Sequence, residues 1–312
     1  MILSIDFNPA VEMKHLVDNI GIGKKIEADK SVYYPRGNGV LVSQLLNIFG
    51  ETSFMTGFLG GLYGEFLHSK LQESRIAHEF VPIRDRTRAL IRLVDRDNEH
   101  TVIMEKSPRI TRDELINMYD LFERLLDKSG PICGLDFIPM AGISKTILYD
   151  FISLANRRDK KFILDVKNQI SFSGLDASPY MAILSLGSLE EHLKLELHFE
   201  NEMIKVGRFL LDKGIEYLVI DLEEKGSMVL GQDRGYRVEI PYFKEKVQYD
   251  DHSSMVAGFA LGVNRGYDLE MNIRLGQAFN MVTALEYDVD EIQMSDIKKA
   301  MGELEIFPIN YY

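Results

Sequence analysis

The chain has 312 residues, of which 46% are hydrophobic and 27% charged, so it can bury a large core and is not expected to be disordered. It carries 36 lysines and arginines against 48 aspartates and glutamates, and this formal net charge of −12 disfavours nucleic acid as a partner. A single cysteine excludes an internal disulfide, and the lack of a signal-peptide pattern or a long apolar run predicts a soluble, cytoplasmic protein without a membrane partner.

Short apolar runs rich in β-branched residues alternate with longer amphipathic stretches. The predicted strands are, in chain order, residues 2–7, 52–58, 89–94, 101–105, 162–166, 181–186, 217–222 and 227–230. The predicted helices are residues 40–49, 111–126, 144–156, 200–213, 255–264 and 269–285. Thr111 with Glu114, and Ser188 with Glu191, have the spacing of capping boxes at helix starts. This alternation predicts a largely parallel sheet covered by helices on both faces.

Two stretches interrupt the alternation of strands and helices. Residues 12–34 and 84–106 are polar and strand-prone and lack a helical period. We expect them to form β-structure that projects from the main sheet. No low-complexity linker or internal repeat divides the chain, so we interpret residues 1–312 as one domain that carries a β excursion.

Four motifs in order resemble those of PfkB-type sugar kinases. They are NPAVE at 8–12, YPRGNGVLVS at 34–43, GFLGG followed by GEF at 57–66, and SMVAGF at 254–259. The resemblance covers nearly the whole chain and is nearest to the 1-phosphofructokinase and tagatose-6-phosphate kinase group. It implies the ribokinase-like fold, a three-layer α/β sandwich with a mostly parallel central sheet. It also identifies residues 12–34 and 84–106 as a β-lid over the sugar, which in this family often mediates a homodimer.

The resemblance implies a small phosphorylated sugar as the ligand under the lid. The residues that match its sugar-binding positions are Glu12, Gly37, Asn38, Gly39 and Arg88. Glu12 stands where the family has an aspartate, and Asn38 stands where it has a lysine. Arg36 and Arg92 could join Arg88 in gathering an anion, although exposed arginines on a lid are an equally good interpretation.

The start of the predicted helix at 255–264 departs from the family. Where the family reads Gly-Ala-Gly-Asp, this chain reads Asp250-Asp251-His252-Ser253. Ser253 occupies the position of the catalytic base and is a weak base without a partner. No glycine remains to let backbone N–H groups approach a phosphate. Asp251 or His252 could serve as the base only after a register shift, which the gapless match through 254–259 argues against. We prefer a helix-capping role for Asp250 or Asp251.

The nucleotide side departs from the family as well. The positions that match its nucleotide contacts are Ser185, Ser188, Asp221, Gly226 and Gly258. Ser185 and Ser188 replace the asparagine and glutamate that order Mg²⁺ in the family, and Ser188 is also explained as a helix cap. Residues 221–226 read DLEEKG, which places carboxylates along the expected polyphosphate path. The seven histidines lack metal-binding spacing, so we predict no resident metal ion.

These departures favour a pseudokinase, a sugar-kinase homologue that acts as a ligand sensor or as a protein partner. The loss of a general base alone costs about 10²–10⁴-fold in rate, and here the anion hole and metal ligands are changed together with it. The alternative is an active kinase of the 1-phosphofructokinase or tagatose-6-phosphate kinase type, which would use ATP and Mg²⁺.

Overall fold

A large, mostly parallel sheet forms the centre of the molecule. The computed structural model describes residues 1–21, 23–97, 99–135, 137–241, 252–285, 289–309 and 311. The strands are, in chain order, β1 (Ile2–Asp6), β2 (Ala10–Val17), β3 (Ala28–Arg36), β4 (Ser53–Leu59), β5 (Ala77–His78), β6 (Val81–Pro82), β7 (Arg88–Val94), β8 (His100–Met104), β9 (Ile132–Leu135), β10 (Phe162–Val166), β11 (Met181–Ser185), β12 (Tyr217–Asp221), β13 (Ser227–Gly231), β14 (Gly235–Glu239) and β15 (Glu305–Ile309).

Helices cover both faces of this sheet. They are, in chain order, α1 (Asn38–Ile48), α2 (Gly61–Glu73), α3 (Arg112–Leu126), α4 (Ile147–Asn156), α5 (Gln169–Ser173), α6 (Leu186–Leu193), α7 (Glu200–Leu211), α8 (Ser253–Arg265), α9 (Leu269–Leu285) and α10 (Met294–Glu303). Within the described ranges, none of them has both the length and the apolar composition required to cross a bilayer.

The main sheet has the strand order β15-β14-β13-β12-β11-β10-β9-β1-β4-β5, with β6 beside β4. Every neighbouring pair from β5 to β12 is parallel, and β13, β14 and β15 extend the sheet in antiparallel fashion. The predicted mostly parallel sheet is therefore confirmed.

Two apolar cores lie on opposite faces of the sheet. In β1, Leu3 and Ile5 pack into the core beneath α3, α4, α6 and α7, while Ile2 packs into the core beneath α1, α8, α9 and α10. Strands buried on both faces read as continuous apolar runs, which is why the short runs were visible in the sequence. The result is the three-layer α/β sandwich that the family resemblance implied.

The lid is a separate sheet with the order β3-β2-β7-β8. Its strands come from the two stretches without helical period, and β2 and β3 extend slightly beyond the predicted 12–34, to Ala10 and Arg36. The outer strand β8 is exposed along its whole length. The predicted lid is confirmed by this arrangement.

Several elements differ from the sequence-based prediction. We did not predict α2, whose first turn contains Gly61 and Gly64, or α10, which buries only Ile297 and Ala300. The prediction also did not include β9, β14 and β15. The capping box at Ser188 was wrong: α6 starts three residues earlier, with Ser185 as its N-cap.

Candidate active site

Three buried strands place an aspartate at the carboxyl edge of the main sheet. Asp6 ends β1, Asp221 ends β12, and Asp165 lies one residue before the end of β10. All three side chains are buried. Ligands of open α/β sheets bind at this edge, so these carboxylates define the floor of the candidate site.

Asp6 holds the glycine-rich turn in place. Its carboxylate accepts hydrogen bonds from the backbone N–H groups of Gly39 and Asn8, both at 3.0 Å. Gly37 has φ +152°, and a Cβ there would lie 2.6 Å from Asp6 Oδ2. A side chain on Gly39 would likewise meet Asp6 and Met55 at 2.9 Å. The retained glycines are therefore required by the contact with Asp6, which sets Asn38 at the first position of α1.

Glu12 lies buried on the lid strand β2, between two arginines. Arg92 Nε is 2.6 Å from Glu12 Oε1, and Arg36 Nε is 3.5 Å from Glu12 Oε2. The arginines lie on the neighbouring strands, two residues beyond the partners of Glu12 in each ladder. Arg88 donates to the carbonyl oxygen of Asn8 at 3.3 Å. The structure thus gathers Glu12 and the three arginines on adjoining lid strands.

His252 occupies the space between two of the floor carboxylates. Its Nδ1 atom lies 3.0 Å from Asp165 Oδ1, and its Nε2 atom lies 3.7 Å from Asp221 Oδ2. The Lys167 ammonium approaches the other oxygen of Asp165 at 2.9 Å. His252 is the N-cap residue of α8, and its carbonyl oxygen accepts the first hydrogen bond of that helix from Val256 at 2.8 Å.

The charges in this cluster support one another. Burial alone would raise the pKa of Asp165, but the charges of Lys167 and His252 outweigh it and hold that pKa below its usual value. Burial alone would lower the pKa of His252, but the hydrogen bond and charge of Asp165, with the charge of Asp221, raise it. Burial raises the pKa of Asp221. The arrangement favours a protonated imidazole between the two carboxyl groups.

Ser253, at the predicted base position, is the first residue of α8 and is fully buried. Asp251, the alternative base, lies outside the described residues. A serine needs a neighbouring base to act in proton transfer. The nearby His252 has both ring nitrogens directed at the carboxylates of Asp165 and Asp221. Its ring is therefore not oriented to accept a proton from Ser253.

Ser185 and Ser188 are used by the start of α6. The Ser185 hydroxyl accepts from the Ser188 backbone N–H at 3.1 Å and lies 2.8 Å from the Ser188 hydroxyl. This is an ordinary N-cap contact for a serine. Both side chains lie at the carboxyl end of β11, next to the strands that carry Asp165 and Asp221.

The predicted nucleotide turn follows β12. The Asp221 carboxylate accepts from the Glu223 backbone N–H at 3.2 Å, and Glu223 and Glu224 are exposed. Gly226 has φ +86°, and a Cβ there would lie 2.0 Å from the Val238 carbonyl oxygen. Gly258 faces α9, where a Cβ would lie 2.5 Å from the Leu275 carbonyl oxygen. Both glycines thus have packing reasons to be present, and their nucleotide contacts stay predictions.

The residues at this edge do not fit a Mg²⁺ ion. The serines at the positions of the family's metal-ordering residues bond to each other, and the imidazole ring of His252 separates the carboxylates of Asp165 and Asp221, so that no single ion can bond to both. Among the residues that the structure describes, no group of histidine, cysteine and carboxylate side chains is arranged to hold a metal ion.

Sequence reasoning missed Asp6, Asp165 and Lys167, and it dismissed His252. A signal for the aspartates was present, since each one ends an apolar strand run: ILSID, FILDV and YLVID. An acid at the end of a strand buried on both faces points to the ligand-binding edge of a parallel sheet. Nothing local in the sequence indicated that His252 would reach two of these strands.

Comparisons with known proteins agree with this fold. A family model described as pfkB family carbohydrate kinase matches residues 5–294. A 1-phosphofructokinase from Borreliella burgdorferi is 25% identical over 311 residues, covering 98% of each chain. A Staphylococcus aureus structure, provisionally assigned as a phosphofructokinase, superimposes with a TM-score of 0.87 at 21% identity, covering 99% of each chain. Phosphofructokinase-2 from Escherichia coli in complex with fructose-6-phosphate gives a TM-score of 0.81 at 19% identity, covering 96% of this chain and 98% of that one. The chain therefore belongs to the pfkB family of carbohydrate kinases.

Proposed function

We propose that this protein binds a small phosphorylated sugar under its lid and does not transfer phosphate efficiently from ATP. It is then a pseudokinase that acts as a ligand sensor or as a protein partner. The observation that carries this proposal is the start of α8, where the family resemblance places the catalytic base and the phosphate-binding turn. There the structure has a buried Ser253, and the ring of His252 lies between Asp165 and Asp221.

Phosphoryl transfer depends on groups that stabilise charge as it develops. A base must accept the hydroxyl proton, N–H donors must face the transferred phosphate, and a metal ion must neutralise it. Here a buried serine replaces the base, and the hydroxyls of Ser185 and Ser188 are engaged in a helix cap. The exposed Glu223 and Glu224 add negative charge beside the proposed nucleotide path. These features together oppose the binding of a polyphosphate.

The sugar side retains features that suit a phosphorylated ligand. Arg36, Arg88 and Arg92 lie on adjoining lid strands with Glu12 among them, so this group carries a net positive charge. Arginine is well suited to recognition of phosphate because its planar guanidinium presents several N–H donors. Asp6, at the end of β1 in the main sheet, supports the glycine-rich turn and so holds Asn38 at the first position of α1, close to this edge of the main sheet.

An active ATP-dependent sugar-phosphate kinase is the second candidate. It is favoured by the full-length match to the Borreliella burgdorferi protein named 1-phosphofructokinase. In that case ATP and Mg²⁺ would be the cofactors, and the activity would be of the 1-phosphofructokinase or tagatose-6-phosphate kinase type.

Binding and turnover measurements separate the two candidates. Thermal unfolding should be followed with fructose 1-phosphate, fructose 6-phosphate, tagatose 6-phosphate and Mg·ATP, each alone. A ligand that binds the folded state raises the apparent Tm by mass action, and we expect this for a sugar phosphate and not for Mg·ATP. A coupled ADP-release assay should show no turnover with any of the three sugars. Turnover near ~1 s⁻¹, the low end of ordinary enzymes, would establish the kinase instead.

We also propose that the lid mediates a homodimer. The four candidate contact residues on the lid are Val32, Ile91, Leu93 and Ile103. Strand β8 leaves Val102, Ile103 and Met104 exposed at the edge of the lid sheet, and an exposed apolar edge strand favours pairing with another chain.

A further inference from the structure

Charged side chains from three strands share one face of the lid sheet. The opposite face of β2 carries Val11 and Met13, which pack with Leu59 and with Leu67 of α2. Side chains alternate between the two faces along each strand, and residues paired across strands point to the same face. The pairing of β2 with β3 and β7 therefore places the following charged residues together on the face that is turned away from α2: Glu12, Lys14, Arg36, Arg88 and Arg92.

Two of these arginines approach Glu12 from opposite directions. Arg36 is paired with Ala10, two residues before Glu12 on β2, and Arg92 is paired with Lys14, two residues after it. Diagonal neighbours of this kind are within reach of long side chains. Arg92 Nε lies 2.6 Å from Glu12 Oε1, and Arg36 Nε lies 3.5 Å from Glu12 Oε2. Each carboxylate oxygen of Glu12 therefore faces a guanidinium group.

This pairing determines what the Glu12 carboxylate can recognise. Its side chain is 4% exposed, and a buried carboxylate is strongly unfavourable unless a cation accompanies it. Hydrogen bonds between arginine and a carboxylate are stronger than those between neutral groups. A hydroxyl group of a ligand that donated to Glu12 would therefore compete with both guanidinium groups. A carboxylate distinguishes sugars by the configuration of their hydroxyl groups only when its oxygens accept hydrogen bonds from those groups.

The same face is well suited to attract an anion. Three guanidinium groups and the ammonium group of Lys14 accompany the single negative charge of Glu12. Arg88 lies beside Ala10 on the other side from Arg36, and it donates to the Asn8 carbonyl oxygen at 3.3 Å. A guanidinium group has five N–H donors, so it can bind a carboxylate and a phosphate together. This attraction depends on the charge of the ligand and not on the configuration of its hydroxyl groups.

We propose that Arg36 and Arg92 are specificity-determining residues of the lid. By pairing with Glu12 they withdraw its carboxylate from hydroxyl recognition, so the lid selects a phosphorylated sugar by its charge and accepts different configurations of its hydroxyl groups. The proposal rests on the proposed function in one respect, namely that a sugar phosphate binds under the lid. It does not depend on whether the protein transfers phosphate from ATP.

The test compares fructose 6-phosphate with tagatose 6-phosphate, which differ only in the configuration of the hydroxyl group at C4. Calorimetric titration without nucleotide gives the Kd of each for the parent, for Arg36→Gly/Arg92→Gln and for the control Arg96→Gln, whose arginine is exposed and pairs with Asp18. We expect the two Kd values to agree within about threefold in the parent and in the control. In the double variant Glu12 can accept from hydroxyl groups, and we expect the two Kd values to differ at least about tenfold.

A second variant tests the same pairing from the side of the carboxylate. Glu12→Gln removes the charge that neutralises the two arginines, so both sugar phosphates should bind more tightly and by the same factor. A loss of affinity for either sugar phosphate in Glu12→Gln would show that Glu12 binds hydroxyl groups and would refute the proposal. Circular dichroism checks the folding of each variant. If the double variant does not fold, the ratio of Kd values in the parent decides.

The outcomes for the parent also separate this inference from the proposed function. A parent protein whose two Kd values differ by more than about threefold overturns the inference and leaves the binding of a sugar phosphate established. A folded double variant that discriminates no better than the parent overturns it as well. A parent protein that binds neither sugar phosphate overturns the proposed function together with this inference.

Discussion

Gly37 shows how a single residue sets the geometry of the sugar-side turn. Its φ of +152° is unfavourable for other residues, and an added Cβ would lie 2.6 Å from the Asp6 carboxylate that supports the turn. We predict that Gly37→Ala lowers the free energy of unfolding by about 1–3 kcal/mol. Urea unfolding measures this. Gly302→Ala in α10 is the matched control, since its Cβ meets nothing within 4 Å, and it should raise stability by up to about 1 kcal/mol. Equal effects of both changes would contradict this account of the turn.

Repair of the base position alone should not restore a kinase. Ser253→Asp would introduce a carboxylate beside His252 while Ser185 still caps α6 and its hydroxyl still bonds to that of Ser188. We predict no turnover from this variant. A combined variant replaces residues 250–253 by Gly-Ala-Gly-Asp and adds Ser185→Asn and Ser188→Glu. It should bind Mg·ATP measurably better than the parent, because it removes the ring from the site and offers backbone donors at a helix start.

Calorimetric titration of the parent, single and combined variants with Mg·ATP, followed by turnover assays, checks this prediction. Robust turnover from Ser253→Asp would show that the existing turn already stabilises phosphate. Equally tight binding of Mg·ATP by parent and combined variant would refute the view that this turn excludes the nucleotide.

Among the secondary-structure elements, α2 and β5 are linked by a chain of hydrogen bonds through two histidines. His78 Nδ1 donates to the Ile76 carbonyl oxygen at 2.7 Å, so His78 Nε2 accepts from His68 Nδ1 at 2.8 Å, and Gln72 donates to His68 Nε2 at 3.1 Å. The two histidines border a cavity of about 490 Å³ with an apolar floor that includes Phe80. The hydrogen-bond partners assign one N–H donor and one acceptor nitrogen to each of the two histidine rings, which is the pattern of a neutral imidazole.

This chain of bonds predicts a pH-dependent stability. Burial, together with the charge of His68, lowers the pKa of His78 below its usual value. The unfolded chain then binds the proton more readily, so the contribution of His78 to stability is complete above its ordinary pKa and is lost as the pH falls below it. We predict that the parent loses more stability than His78→Gln between about pH 7.5 and about pH 5. Urea unfolding at several pH values measures the difference, and His198→Gln is the exposed control. Identical pH profiles for the parent and His78→Gln would contradict it.

For the molecule as a whole, the exposed apolar edge of the lid sheet is the feature that favours association with a second chain. Ile103 on β8 is 52% exposed, and its strand has one free side in the lid sheet. We predict that light scattering at micromolar concentration gives twice the 35.7-kDa chain mass, and that Ile103→Lys restores the mass of one chain. Ile116→Lys, at an isoleucine on α3 that is 48% exposed, should leave the dimer intact. A parent protein with the mass of a single chain would refute the lid dimer.

Local patterns of residues were enough to predict much of the fold. Apolar runs such as residues 162–166 and 181–186 mark strands buried on both faces, because burial selects for hydrophobic side chains residue by residue. The capping box of Thr111 and Glu114 was likewise readable, since its partners are three residues apart, and the structure shows both of its hydrogen bonds. The ordered motifs indicated the family and the lid in the same way.

The candidate site was only partly predictable, because local patterns do not encode contacts between residues that are far apart in the sequence. The choice of Ser185 over Ser188 as the α6 cap depended on where β11 ends, which sheet pairing decides. Asp165 and Asp221 could have been noted as acids at strand ends, but their distance from each other follows from the strand order β12-β11-β10.

Many of the strands, most helices, the lid and the replacement of the family's base follow from the amino-acid sequence alone, since each of these is a property of neighbouring residues. Tertiary packing was needed to bring the ring of His252, 87 residues after Asp165, between two buried carboxylates, and to make Arg36 and Arg92 converge on Glu12 from opposite sides. Contacts of this kind arise from the order of strands in the sheet and the direction in which α8 starts. Those are set by the packing of the whole chain, and no local pattern of residues encodes them.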